Sequence, residues 1–219
     1  MRPIQAPGTA GEERSFIETA RRAQIVAAAI EVIAELGYGQ ASLARIAQRI
    51  GVSKGVISYY FAAKDDLVRA VMADVIAKAV AYVGPRLAAE STGPGKLRAA
   101  IESNIAFMGE YRPHMVAFLQ IVLNTRGADS TPNPAVTRVL HDGAASLREL
   151  LATYQAAGEF RAGFDPQVMA TAIRSAIDAV PRKLAAEPDF DVGHYGRELA
   201  DLFDVATRGQ IPDPGRRQG

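Results

Sequence analysis

The segment SLARIAQRIGVSKGVISYYFAAK, residues 42–64, decides the fold. Leu43, Ile46, Ala47 and Ile50 recur at helical spacing and give a first helix one apolar face, with Ser42 placed to cap it and Gly51 to end it. Ser53 then caps a second helix anchored by Val56 and Ile57, while Lys54, Gly55, Ser58, Tyr59 and Tyr60 remain to face outward. Arg45, Arg49, Lys54 and Lys64 meet no acid within the segment. A helix, a glycine turn and a second helix in a cation-only stretch make the pattern of a helix-turn-helix. There a short helix fits the major groove, and hydroxyls, helix N-termini and cations hold phosphates on either side.

Working outward, a helix is predicted from about Arg14 to Leu36, with Ile25, Ala29, Ile33 and Leu36 packing over the motif and Gly37 as the stop. Lys64 or Asp65 opens a long helix through Leu67, Val71, Val75 and Val80, which Gly84-Pro85 should bend or end. Further helices start at Thr92-Gly93-Pro94, after Arg112-Pro113, and at Asn133-Pro134. Asp165-Pro166 opens another that runs to near Pro188, and a last one follows Asp191. Almost no strand signal exists, so the expected class is all-α. The expected division is a tail at 1–12, a helix-turn-helix domain at 13–63, a helical body at 64–208 and a mobile tail at 209–219.

Composition sets outer limits. The chain has 219 residues, 48% of them hydrophobic, enough to bury a sizeable core. It has no cysteine, which excludes disulfides, zinc-thiolate sites and thiol catalysis. No apolar leader and no membrane-length run are visible, so a soluble, cytoplasmic protein is expected. The net charge of +1 divides unevenly: residues 1–64 hold eight Lys or Arg against five Glu, a balance of +3, and the rest carries −2. A basic head on a near-neutral body suits phosphate attraction, although solvated helix faces give the same count.

At Ile46-Ala47, Gly51-Val52-Ser53, Lys54-Gly55, Tyr59-Tyr60-Phe61, and Lys64 followed by Asp65-Asp66-Leu67, the chain resembles the TetR family of bacterial transcriptional regulators. The resemblance covers about the first third of the chain. It implies an N-terminal three-helix DNA-binding domain and a C-terminal helical domain for ligand binding and dimerisation. The implied DNA contacts are Ser42, Ser53, Lys54, Gly55, Ser58, Tyr59, Tyr60 and Lys64, with outward-facing Arg45 added from its position on the supporting helix. Ser58 stands where many members carry a phosphate-touching tyrosine; it keeps a hydroxyl with shorter reach. Phe61, Ile46, Ala47 and Ile57 read as core.

The resemblance further implies a repressor that binds a palindromic operator as a homodimer through its last two helices, the readers lying about 34 Å apart. A small-molecule effector in the helical core would shift the helix starting at Lys64. Candidate pocket residues are Phe107, Met108, Tyr111, His114, Met115, Phe118, Tyr154, Arg174, Ile177 and Asp178. Each also reads as plain packing, and Arg174 and Asp178, four apart, as a helix-face pair. No cofactor, metal or membrane partner is expected. An all-helical enzyme finds little support, since His114, His141 and His194 form no metal-spaced pair and no nucleophile elbow or phosphate loop occurs. A non-enzymatic interaction protein whose reader has lost selectivity is the other alternative.

Overall fold

The computed structural model describes the backbone of residues 9–124 and 134–208, and the side chains of residues 15–124 and 141–208. Among them every regular element is a helix. Two compact units divide at Asp74/Val75, within one helix.

The first unit contains α1 (Thr9–Leu36), α2 (Leu43–Arg49), α3 (Lys54–Tyr60) and the start of α4 (Lys64–Ala88). Helix α1 begins ahead of the expected Arg14, at Thr9, because between Thr9 and Arg14 only Gly11 opposes helix. It ends at Gly37, whose φ of 82° is the left-handed conformation that glycine adopts without Cβ strain, and whose N–H donates to Ile33 O at 3.0 Å. Gly51, at φ 67°, does the same after α2: Val52 N–H reaches back to Ala47 O at 3.0 Å, closing the turn and sending the chain into α3. Ile25, Ile30, Ile33, Ile46, Ile57, Phe61, Leu67 and Val71 are fully buried and form the core. Two expected anchors are not buried. Leu36 is 40% and Val56 36% exposed, each lying at a helix end where the apolar stripe has already turned toward solvent.

The second unit contains the rest of α4, α5 (Gly93–Glu110), α6 (Arg112–Asn124), α7 (Pro134–Ala156), α8 (Pro166–Asp178), α9 (Val180–Ala186) and α10 (Val192–Arg208). Helix α5 is central: α10 lies along it, α7 pairs with α8, and α6 with α9. Ile101, Ile105, Phe107, Leu151, Ile173, Ile177 and Leu184 are at the heart of its core. Expected and observed helices differ twice. Helix α4 passes through Pro85 to Ala88, since only one turn follows the proline; Ala89 N–H donates to Pro85 O at 3.1 Å and the Arg86 guanidinium to Tyr82 O at 2.5 Å. The helix expected from Asp165 to near Pro188 instead breaks at Ala179, because Pro181 has no N–H to offer Ile177 O. Arg112 then caps the end of α9, donating to Glu187 O at 2.9 Å, Pro188 O at 2.8 Å and Leu184 O.

Asp165 is a strong start signal: one carboxylate oxygen accepts from Gln167 N–H at 2.7 Å and Val168 N–H at 3.2 Å. Asp165→Ala is expected to lower stability by about 1 kcal/mol. Urea unfolding monitored by far-ultraviolet circular dichroism checks this, and Asp165→Asn should recover most of the loss.

Candidate nucleic-acid interface and helical cavity

The reading unit is organised by its two serines. Ser42 Oγ accepts from Arg45 N–H at 3.2 Å and starts α2; Ser53 Oγ accepts from Val56 N–H at 3.3 Å and starts α3. Within α3 only Ile57 is buried. Lys54, Gly55, Ser58 and Tyr59 are exposed, and Tyr60 is half-buried with its ring edge-on to Tyr59 at 5.0 Å. Tyr59 is 75% exposed. A Cβ on Gly55 would meet only Ser53 Oγ, at 3.6 Å, so packing inside the unit does not require glycine there. The far end of α3 is fixed by Arg22, which donates to Tyr60 O at 3.0 Å and lies 4.3 Å over the Phe61 ring.

The cations are not equivalent. Arg45 is exposed and donates to Gln40 Oε1 at 2.8 Å. Arg49, which meets no acid in its own segment, pairs across to α1 with Glu31 at 3.3 Å and with Glu35. The hydrogen bond from Arg49 holds the Glu35 carboxyl below its ordinary range, and Glu35 in turn pushes the guanidinium further up. Lys64 is half-buried, its Nζ donating to Tyr38 O at 2.5 Å and lying 3.9 Å from the Tyr38 ring. Burial pushes that ammonium down, with Asp65 opposing; burial and then Asp65 push the Tyr38 phenol up. Of the residues considered for DNA, Lys54, Gly55, Ser58 and Tyr59 thus share an open helix face with Tyr60 at its edge. Ser42 and Ser53 are engaged as caps, and Lys64 in bracing the turn before α2.

The second unit holds a partly open cavity of about 490 Å³. Six of the ten residues considered for the pocket line it: Phe107 and Met108 from α5, Met115 and Phe118 from α6, Arg174 and Asp178 from α8. The other four lie outside the lining. Tyr111 stacks on Phe107 at 4.8 Å, and His114 stands edge-on to Tyr111 at 5.3 Å. Tyr154 packs near Gly93 and Phe160, and Ile177 is core. Two walls were not foreseen. Val75, Ile76, Ala79 and Val80 of α4 form one, and Asp142, Gly143 and Ser146 of α7 another. The spacing of Val75 and Ala79 on a helix that leaves Val80 65% exposed carries part of that signal. Among the described residues, no group of three or more His, Cys, Asp or Glu is arranged to hold a metal, and no helix is long and apolar enough to cross a membrane.

Comparison with known proteins bears on both units. The family profile described as bacterial regulatory proteins, tetR family, matches residues 25–71, which contain α2, α3 and the first turns of α4. The HTH-type transcriptional regulator BetI of Ectopseudomonas mendocina is 36% identical over 121 residues, 54% of this chain and 59% of BetI. The chain thus spans only about three fifths of that relative's length. The transcriptional regulator FadR from Bacillus subtilis, solved in complex with stearoyl-CoA, superposes with a TM-score of 0.70 at 22% identity, over 84% of this chain and 98% of FadR. A Saccharomonospora viridis protein in complex with choline gives 0.70 at 22%, over 88% and 100%. At those identities the structures establish a shared fold, and the reading segment supplies the sequence match. Residues 25–71 thus carry the reading segment described for bacterial regulatory proteins of the tetR family, on a fold shared with solved regulators.

Proposed function

We propose that this protein is a repressor that binds a palindromic operator as a homodimer and is released when a small molecule fills the cavity. The observation that carries the reading is the double membership of α4. Its first turns, from Lys64, belong to the reading unit, and its later turns supply Val75, Ile76, Ala79 and Val80 to the cavity wall. A ligand that displaces this wall acts on the same helix whose Lys64 is bonded to Tyr38, just ahead of the motif. Exposed Val168 on α8 and exposed Leu202 and Val205 on α10 support dimerisation through these helices, apolar side chains being left for a second copy. That BetI is an HTH-type regulator, and that regulators of this fold have been solved with small molecules, agrees with the reading.

Selection of bound duplexes from a random pool at near-physiological salt, followed by sequencing, tests it. An enriched inverted repeat with half-sites about one helical turn apart is expected. Weak binding with a steep salt slope and no enriched motif would reduce the interface to nonspecific phosphate attraction and favour the interaction-protein alternative. Effector and operator should weaken each other's binding by the same factor, equivalent to about 1–3 kcal/mol. Tyr59→Phe then probes one hydroxyl: operator affinity should fall by about 1 kcal/mol with sequence preference unchanged, the mark of a lost phosphate contact. Unchanged affinity in a fluorescence-anisotropy titration would remove that hydroxyl from the interface.

A further inference from the structure

Asn104 interrupts the apolar stripe that α5 presents to the cavity. It is half-buried, whereas Ala100, Ile101, Phe107 and Met108, three and four residues away on the helix, are buried, as are its chain neighbours Ser103 and Ile105. The surface that Asn104 leaves open therefore belongs to the cavity, which it lines together with Phe107 and Met108. Its Nδ2 donates to Ala100 O at 2.7 Å. Turned over, the amide would set two oxygens against each other, so this bond fixes its orientation. The carbonyl oxygen Oδ1 accepts no hydrogen bond among the described residues, and it is not sealed off from solvent as the unpartnered Nε of Arg174 is. Other polar groups on the wall differ: Asp142, Ser146 and Arg182 are exposed, and Asp178 already accepts from Arg174 Nη2. The remaining wall is mainly apolar, with Met115 and Phe118 of α6 and Val75 and Ala79 of α4.

A guest that fills the cavity strips water from Oδ1, and an acceptor buried without a donor carries its full desolvation cost. A ketone, ether or ester offers no proton and leaves that cost standing. An ammonium offers protons but brings its charge into apolar surroundings, where the half-buried carboxylate of Asp178 is engaged by Arg174. A hydroxyl offers a proton and brings no charge. We infer that the cavity selects an uncharged, largely apolar alcohol, whose hydroxyl donates to Asn104 Oδ1. This rests on the reading of the cavity as the effector site. Asn104 is then the specificity-determining residue, and the apolar wall supplies affinity in proportion to the area that the guest covers.

Three probes that share a ring and differ at one carbon separate the possibilities: cyclooctanol, cyclooctanone and cyclooctylammonium, titrated calorimetrically into the full-length protein. The alcohol should bind about tenfold more tightly than either of the others. Asn104→Leu keeps the shape and removes the acceptor; it should bring alcohol and ketone to within about twofold of each other, chiefly by strengthening the ketone. Asp178→Asn spares Asn104 and should leave the ratio as it is in the unaltered protein. Equal or tighter binding of ketone or ammonium by the unaltered protein overturns the inference, whether or not Asn104→Leu folds. So does an alcohol preference that survives Asn104→Leu, or one that is lost in Asp178→Asn, which would move the acceptor to that carboxylate. Failure of all three probes while sequence-selective duplex binding persists also overturns it and leaves the regulator reading intact. Preferential alcohol binding without any selective duplex binding upholds the hydroxyl site and sinks the regulator reading instead.

Discussion

Ile57→Ala is expected to unfold the reading unit ahead of the helical body. Ile57 is the sole buried residue of α3, with 0% of its surface exposed, so no neighbour on that helix compensates for the lost side chain. Truncation of a fully buried isoleucine removes the transfer energy of three carbons and leaves a cavity, together about 2–5 kcal/mol. Against domain stabilities of roughly 5–15 kcal/mol, that is a large fraction. Circular dichroism should then resolve an early transition that carries only part of the helical signal, and operator binding should vanish above it. Ile57→Val should cost only about 0.5–1.5 kcal/mol and keep binding at room temperature. A single transition with an unchanged midpoint in the alanine variant would show that α3 is held by something other than this side chain.

The largest effect expected in the body is that of Gly93→Ala. Alanine normally gains about 1 kcal/mol over glycine in a helix, so the ordinary expectation is stabilisation. Here the sign reverses. A Cβ at position 93 would lie 2.5 Å from both Cβ and Cγ of Tyr154, and the Cβ is fixed by the α7 backbone, so no rotamer change can withdraw it. Relief requires α5 and α7 to separate, which stretches the bond from Gly93 N–H to Glu159 Oε2, now 2.6 Å long. The net cost should be about 1–3 kcal/mol. The collision also dictates a result for the double variant: Tyr154→Ala keeps the obstructing Cβ, so Gly93→Ala should remain destabilising in that background. Thermal melting of all four proteins forms the cycle. Full rescue by Tyr154→Ala would place the clash in the ring instead.

The reading motif was legible because its chemistry is local. Ser42 and Ser53 cap, and Gly37 and Gly51 turn, with partners only a few residues away. The all-α class was equally legible from helical periodicity and from proline and glycine punctuation, and starts such as Thr92 and Asp165 fall where the sequence places them. Legibility failed where a distant partner decides. Arg49 has no acid in its segment, and its partners Glu31 and Glu35 arrive from α1. Those two glutamates, four apart on one helix face, were the available sign. The cavity was half legible for a different reason. Lining and core use the same apolar residues, and only packing separates Phe107, which faces the cavity, from Tyr111, which stacks behind it. Pro85 and Pro181 look alike in sequence, yet one sits inside a helix and the other begins one.

Because Glu31 and Glu35 together confront the single charge of Arg49, the α1–α2 corner is a net negative spot on an otherwise basic unit. The unit therefore has an electrostatic polarity that its overall balance conceals. On the proposed reading, a duplex drifting toward it would be repelled at that corner and attracted toward Lys54, Arg45 and the open face of α3, narrowing the rotational search before contact. The bias acts within about a Debye length and fades with added salt, so ionic strength should govern how often an encounter is productive as well as how tightly the final complex holds.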